Sequence, residues 1–253
     1  MKNYQIIFLA MVFISQVTVF QSYAQVNRSS FRTSEQVIDV EELADRSVIF
    51  LYDDYVSARV HYPGKYSEVE LNYRILADEF IVKVDDDNHK SLSVQELDSI
   101  VTEDNKLFVR HPSLGFVEKL GTEDQSFYIK YNTSYTMNEI RPGAYGDAPV
   151  TSSTQSVQHL GRLGEHAGHS NTERDFRLTN TSGNPMQLNL VSKPVFIMHH
   201  EDEYKNVISR RELLRMFPRS YRSDINDFVR QENISFDERE DLIKLADFLK
   251  ELE

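Results

Sequence analysis

No cysteine and no tryptophan occur in the 253 residues. The first absence excludes disulfides, a thiolate nucleophile, cysteine-based zinc sites and a lipid-modified cysteine at a leader cleavage site. Many exported domains lean on disulfides, so this chain must stand on its apolar core, and it is long enough to build one. The second absence removes the favoured stacking platform of sugar sites and speaks against a lectin role. Glycine is scarce as well: there are nine, and five of them fall between Asn138 and Asn171. No G-x-S-x-G elbow, phosphate-binding loop or dinucleotide glycine pattern is present, so nucleophilic serine chemistry and nucleotide cofactors have no local support. No catalytic residue can be named, no cofactor is expected, and the balance leans away from an enzyme.

Positive charge is also in deficit. Forty acidic residues stand against 28 basic ones, for a net charge of −12. Such a chain is a poor candidate for nucleic acid, whose phosphates demand Lys and Arg, and equally for anionic lipid surfaces. After Ala24 there is no apolar run long enough to cross a membrane as a helix. Before it, Lys2 followed by the apolar stretch Ile6–Phe20 and Ser22-Tyr23-Ala24 fits a secretory leader over 1–24, cut before Gln25. The mature protein is therefore expected in the periplasm, at the outer membrane or outside the cell, with a side-chain charge of −13 once Lys2 is lost.

What is present is strand pattern. In Glu68–Val84, Val69, Leu71, Tyr73 and Ile75 alternate with Glu68, Glu70, Asn72 and Arg74. Ala77-Asp78 turns the chain, and Phe80, Val82 and Val84 resume the alternation. Successive strand side chains point to opposite faces, so this is a hairpin with one buried face. Val56–Tyr62 precedes it and ends at Pro63-Gly64, while Lys106–Arg110 and Gly115–Leu120 form another hairpin and Ser126–Tyr131 a further strand. The order along the chain reads as a polar extension over 25–46, in which Val40–Leu43 makes one helical turn, then a β-meander of six to eight strands over 47–135. A long flexible loop follows over 136–175, then strands at Phe176–Thr179 and Met186–Val191. A hairpin of Pro194–His199 with Tyr204–Ile208 completes the 176–208 region. Helices fill 209–253: Ser209…Glu212 and Ser235…Glu238 fit the capping box, and Leu242, Leu245, Ala246, Leu249 and Leu252 form one apolar stripe. The fold class is α+β: an antiparallel β-meander, curled into a half-barrel or sandwich, followed by a short C-terminal helical segment.

Two stretches carry a resemblance. One is LNYRILADEFIVKV followed by LSVQELDSI and GFVEKLG; the other is the tail RRELLRMFPRSYRSDINDFVRQENISFDEREDLIKLADFLKEL. Together they resemble exported, cysteine-poor β-meander proteins of Bacteroidetes-type bacteria, in which a hairpin leads into a helical tail. The resemblance implies a Gram-negative envelope, and it brings no activity and no catalytic residue with it.

Three candidate chemistries remain. His159, His166 and His169, with Glu165 among them, could hold zinc or another late transition metal. Gly161, Gly164 and Gly168 interleave them, and the bland reading is exposed loop histidines. Asp85 to Glu96 has partial calcium-loop spacing, but Lys90 stands where glycine is required and His89 replaces an oxygen ligand. His199-His200-Glu201 lacks the second histidine one turn on that a zinc protease needs, and it reads as a hairpin tip. Tyr135, Tyr145 and Arg141–Ala144 fall outside the core face and could line a groove. The favoured function is a non-catalytic envelope protein, a binding or interaction scaffold whose loop or helical tail contacts an envelope protein partner. The alternatives are a small metal-assisted or acid–base hydrolase near His159–His169, and a carrier of an apolar ligand inside the sheet, against Val69, Leu71, Tyr73, Phe80 and Val82. Oligomeric state leaves no trace in the sequence.

Overall fold

A computed structural model describes residues 26–86, 88–93, 96–120, 127–143, 146–156, 177–180, 184–200 and 203–252. Most of it is one open, antiparallel, twelve-stranded sheet. Two strands dominate, β10 (Phe127–Gly143) and β13 (Met186–His200), paired continuously from Phe127↔Met198 to Glu139↔Met186. Each changes its second neighbour part-way along. On the outer edge of β13, β1 (Asn27–Thr33) pairs up to Ser192 and β14 (Glu203–Val207) takes over at Phe196. On the outer edge of β10, β9 (Gly115–Leu120) pairs with Phe127–Ile129 and β11 (Gly146–Ser156) with Ser134–Gly143.

From β9 the sheet continues through β8 (Leu107–His111), β7 (Ser99–Thr102), β3 (Val56–Tyr62), β4 (Lys65–Arg74), β5 (Glu79–Lys83) and β6 (His89–Ser91). The expected hairpins β4–β5, β8–β9 and β13–β14 all form. The meander is interrupted once: β7 pairs with β3, not with its predecessor β6. The connection crosses back over three strands, its Leu92 N–H bonding Phe80 O at 2.7 Å and its Asp98 N–H bonding His61 O at 3.0 Å.

Three departures from the sequence reading share one cause. The stretch read as a polar extension contains β1 and β2 (Val37–Asp39), the latter paired with β12 (Arg177–Thr179), and Val40–Leu43 is the expected helical turn, α1, followed by a second turn, α2 (Arg46–Ile49). The stretch read as loop from residue 136 continues β10 and turns into β11, with a bulge between Asn138 and Ile140. Residues 157–176 lie outside the described residues. The two apolar segments before and after Lys193 are a single strand with Pro194 inside it. In each case the backbone ladder fixes the strand where side-chain alternation is missing. β1 turns Ser29 inward, where its hydroxyl accepts from Asp45 N–H at 3.0 Å. Pro194, paired with Tyr131 of β10, falls in the interval where β1 has ended and β14 has not begun, so the outer edge of β13 has no strand neighbour there.

The core lies on one face of the sheet and under the tail. Tyr73, Phe80, Phe108 and Phe116 pack ring against ring, with Phe80 5.1 Å from Phe108 and 5.0 Å from Phe116. Leu71, Ile100, Ile129 and Phe196 extend this cluster. The helices α3 (Arg210–Met216), α4 (Arg219–Gln231) and α5 (Arg239–Leu252) cover it. The apolar stripe of α5 is spent here: Leu242, Leu245, Ala246 and Leu249 are buried, and Phe248 stacks on Phe228 of α4 at 4.0 Å. The first capping box forms in modified shape, Ser209 accepting from Glu212 N–H while the Glu212 carboxylate takes the N–H of Ile208. The second does not form at its expected place. Helix α5 starts only at Arg239, and the carboxylate that reaches back to Ser235 N–H belongs to Asp241, at 3.0 Å. A second cluster, of Ile38, Val40, Val48, Ile49, Tyr135, Leu178, Leu188 and Leu190, sits at the other end of β10 and β13. Tyr135 is thus a core residue and not a groove residue.

A buried ion pair ties the tail to the sheet. Glu118 of β9 is 1% exposed, and both its oxygens accept from Arg239, the first residue of α5, Nε lying 3.0 Å from each. Tyr131 Oη donates to Glu118 Oε2 at 2.7 Å. Burial opposes the charge on Arg239, but the hydrogen bonds and charge of Glu118 outweigh it and raise its proton affinity. Removing one partner strands a charge in the core, which costs about 3–5 kcal/mol. Arg239→Met is therefore expected to lose about that much in a urea denaturation series, and Glu118→Leu/Arg239→Met to recover most of it. A double variant no more stable than Arg239→Met would refute a simple stranded-charge account.

Candidate functional site

The face of β8, β9, β10, β13 and β14 that turns away from the main core carries a smaller cluster. Val117, Tyr128 and Ile197 are buried in it, with Val109, Leu114, Val195 and Tyr204 half-buried around them. No helical residue belongs to this cluster. Strand parity explains its membership. Val109 and His111 are two apart on β8, as are Ile197 and His199 on β13, and His199 pairs directly with Tyr204 across the β13–β14 hairpin.

Four rings meet there. His111 lies 4.3 Å from Tyr204 at an angle of 66°, and 5.9 Å from Tyr128. His199 lies 4.8 Å from Tyr204, and the two tyrosines are 6.0 Å apart. The His111 ring is oriented by its own turn, because Ser113 N–H donates to Nδ1 at 3.2 Å. That bond needs a lone pair on Nδ1, so the proton of the neutral ring sits on Nε2. Burial, and secondarily the charge of His199, lower the pKa of His111 below its ordinary value of 6.5. Burial and the neighbouring Tyr128 push the Tyr204 hydroxyl upward.

This arrangement suits contact better than catalysis. Nδ1 of His111 is engaged and Nε2 carries the proton, so neither nitrogen offers a lone pair to a metal without rearrangement. Among the described residues no group of three or more His, Asp or Glu is placed to hold one. The face is aromatic, with His199 exposed and His111 and Tyr204 half-buried, and it carries imidazole and phenol groups at its rim for hydrogen bonding. Such a composition is typical of protein contact surfaces.

The buried charges elsewhere are engaged within the fold. Lys130 donates to Asp78 and to Phe116 O, the latter at 3.0 Å, while Asp78 also accepts from Tyr73 Oη at 2.6 Å and Phe116 N–H at 3.1 Å. Burial lowers the pKa of Lys130, and Asp78 offsets this in part. Gly115, at φ +74°, admits this aspartate, because a Cβ there would collide with the Asp78 carboxylate. Lys106 pairs with Asp104 and lies 4.7 Å over the Tyr52 ring. Arg74, 4% exposed, binds Glu41 and Glu79.

The sequence-level candidates fare unevenly. His159, His166 and His169 lie outside the described residues, as do Glu165 and Tyr145. His199 and His200 fall on the β13–β14 hairpin as read, with His200 paired to Glu203. The residues proposed to line a carrier cavity do share one region. Leu71, Tyr73, Phe80 and Val82 are buried, and Tyr73 and Phe80 contact each other at 4.8 Å. Their space is filled by the protein's own rings. The four-ring face was missed because its members were weighed one at a time. The available signal was parity: His111, Tyr128, His199 and Tyr204 all occupy the strand positions opposite the core-facing ones.

Comparison with protein-family models, with curated proteins and with solved structures finds no match for this chain.

The depressed pKa of His111 has a definite sign. The fold favours the neutral ring, so at pH values between its folded pKa and 6.5 the unfolded chain binds more protons. Stability from this group is complete above 6.5 and is lost as the pH falls through the folded value. His111→Phe keeps the ring and removes the titration. Denaturation midpoints followed from neutral to mildly acid pH should fall less steeply for the variant than for the native chain. Parallel curves would show that His111 does not titrate in this way.

Proposed function

We propose that the chain is an exported, non-catalytic scaffold of the cell envelope that binds a protein partner through the four-ring face of its sheet. The observation that carries the reading is the meeting of His111, His199 and Tyr204, partly or fully exposed, with the buried Tyr128 over an apolar floor, on the side of the sheet away from the core. Export is supported by the leader-like stretch Met1–Ala24 and by the resemblance to exported β-meander proteins. The helical tail is a weaker contact candidate than the sequence suggested, because its apolar stripe is buried in the core. Aromatic residues over a small buried floor are the usual anchors of such interfaces.

The test is site-specific cross-linking in cells at the rim of this face, with Tyr204→Ala and His199→Ala compared against Lys244→Ala on the tail. A partner that is captured by the native chain and by Lys244→Ala, but about tenfold less by Tyr204→Ala, supports the face. Equal capture by all three, or none by any, rejects it. Deleting the tail is not a usable test, since removal of α5 would uncover Leu242, Leu245 and Leu249.

A further inference from the structure

The net charge conceals a local reversal. Within Asn206–Ser223 there are five arginines and a single acidic residue, Glu212, in a chain whose overall charge is −12. The Glu212 carboxylate is occupied by the N–H of Ile208. Arg222 bonds Phe217 O. The other four, Arg210, Arg211, Arg215 and Arg219, are exposed, and none of them is ion-paired with any described residue. Arg211 and Arg215 are four apart on α3, hence neighbours one turn along the helix, and Arg219 opens α4 immediately after the bend at Pro218.

Arg215 lies in the last turn of α3, where the dipole favours a cation, but the placement of the other three is not explained by the stability of the fold. Arg210 and Arg211 occupy the first turn of α3, and Arg219 the first turn of α4, which has no acidic residue in its first turn. Those are the positive ends of the helix dipoles, where a cation is disfavoured and an anion preferred. Side chains that are exposed, unpaired and unfavourably placed within the fold are suited to meeting an external anion. Arginine binds phosphate in a fixed two-pronged geometry. The flanks narrow the choice of partner. Ile208 is 57% exposed just before α3, and Tyr221 is 38% exposed in the first turn of α4. Cations bordered by an exposed aliphatic and an exposed tyrosine match the headgroup–acyl boundary of a bilayer, where phosphates lie beside hydrocarbon.

We propose that the arginine stripe at the α3–α4 bend, flanked by Ile208 and Tyr221, docks the protein on an anionic phospholipid surface. The stripe lies on the helical tail, on different elements from the four-ring face, and does not depend on it. The acidic remainder of the chain orients the molecule by repulsion, so that only this bend approaches the membrane.

The experiment is flotation of the purified mature chain with phosphatidylcholine vesicles, with and without about one-third phosphatidylglycerol. Binding only to the anionic vesicles, falling as salt is raised, is the expected result. Arg211→Gln/Arg215→Gln/Arg219→Gln should bind on the order of a hundredfold more weakly, each charge near the surface contributing about a factor of five. Its melting curve should match that of the native chain, since these side chains have no ion-pair partner among the described residues to lose. Ile208→Ser should weaken binding while leaving its salt dependence intact. Four results would overturn the proposal: no binding, equal binding to neutral vesicles, an unaffected triple variant, or retention on double-stranded DNA without any vesicle binding.

Discussion

Thirteen consecutive residue pairs join β10 to β13, and the rest of the sheet is laid out against that ladder. Because each of the two is longer than any of its other neighbours, each serves two partners in succession. β9 and β14 flank one half, over the main core; β11 and β1 flank the other, over the smaller cluster of Ile38, Tyr135, Leu188 and Leu190. Two hydrophobic clusters are thus tied by backbone hydrogen bonds without a helix between them. The same ladder fixes which side chains face which way, since a slip by one residue would exchange the faces of every strand attached to it.

Where β9 and β10 part, the structure needs something other than strand pairing. The β9 ladder stops at Ile129↔Glu118 and the β11 ladder starts at Ser134. The β4–β5 turn fills part of this interval, with Asp78 reaching the Phe116 N–H and the Lys130 ammonium. Thr133 spans another part by donating to Val48 O at 2.9 Å. Buried charges are costly unless paired and hydrogen-bonded, and here three sets of them close junctions. Lys130–Asp78 closes the fork between strands, Arg239–Glu118 joins helix to sheet, and Arg74 with Glu41 and Glu79 joins α1 to the β4–β5 hairpin. Chemical groups that could suggest a catalytic centre in sequence are placed as structural connectors.

This explains what could be read from the sequence and what could not. The β4–β5, β8–β9 and β13–β14 hairpins were legible because one face of each is apolar and the turns carry their usual residues. The α5 stripe was legible because Leu242, Leu245 and Leu249 repeat at helical spacing. β1 and β11 were not, because Ser, Thr and Asn fill them and they are held by the backbone of longer strands. The crossing that pairs β7 with β3 leaves no local mark at all. The four-ring face was half-legible: its residues follow from strand parity, but their meeting depends on β8 and β14 converging over β10, which parity alone does not give. The three histidines of the 157–176 stretch remain a reading of sequence only.

Whole-chain charge is a poor guide to where such a protein makes contact. A charge of −12 averaged over the surface predicts repulsion from phosphate, yet the Debye length at physiological salt is about 8 Å, shorter than the molecule is wide. A surface therefore senses the charges that face it and little of those behind. The tail is polarised along its length, with arginines clustered around α3 and the start of α4, and Asp237, Glu238, Glu240 and Asp241 gathered at the start of α5. The acidic group lies at a helix N-terminus, where the dipole favours it, and part of it is satisfied internally by Ser235 N–H, Lys193 and Lys244. Arg210, Arg211 and Arg219 lie where the dipole opposes them, and they have no ion-pair partner among the described residues. Equal and opposite charges along one segment thus differ in what holds them there: the acidic group is accounted for by the fold, and the basic one by what the protein meets outside it.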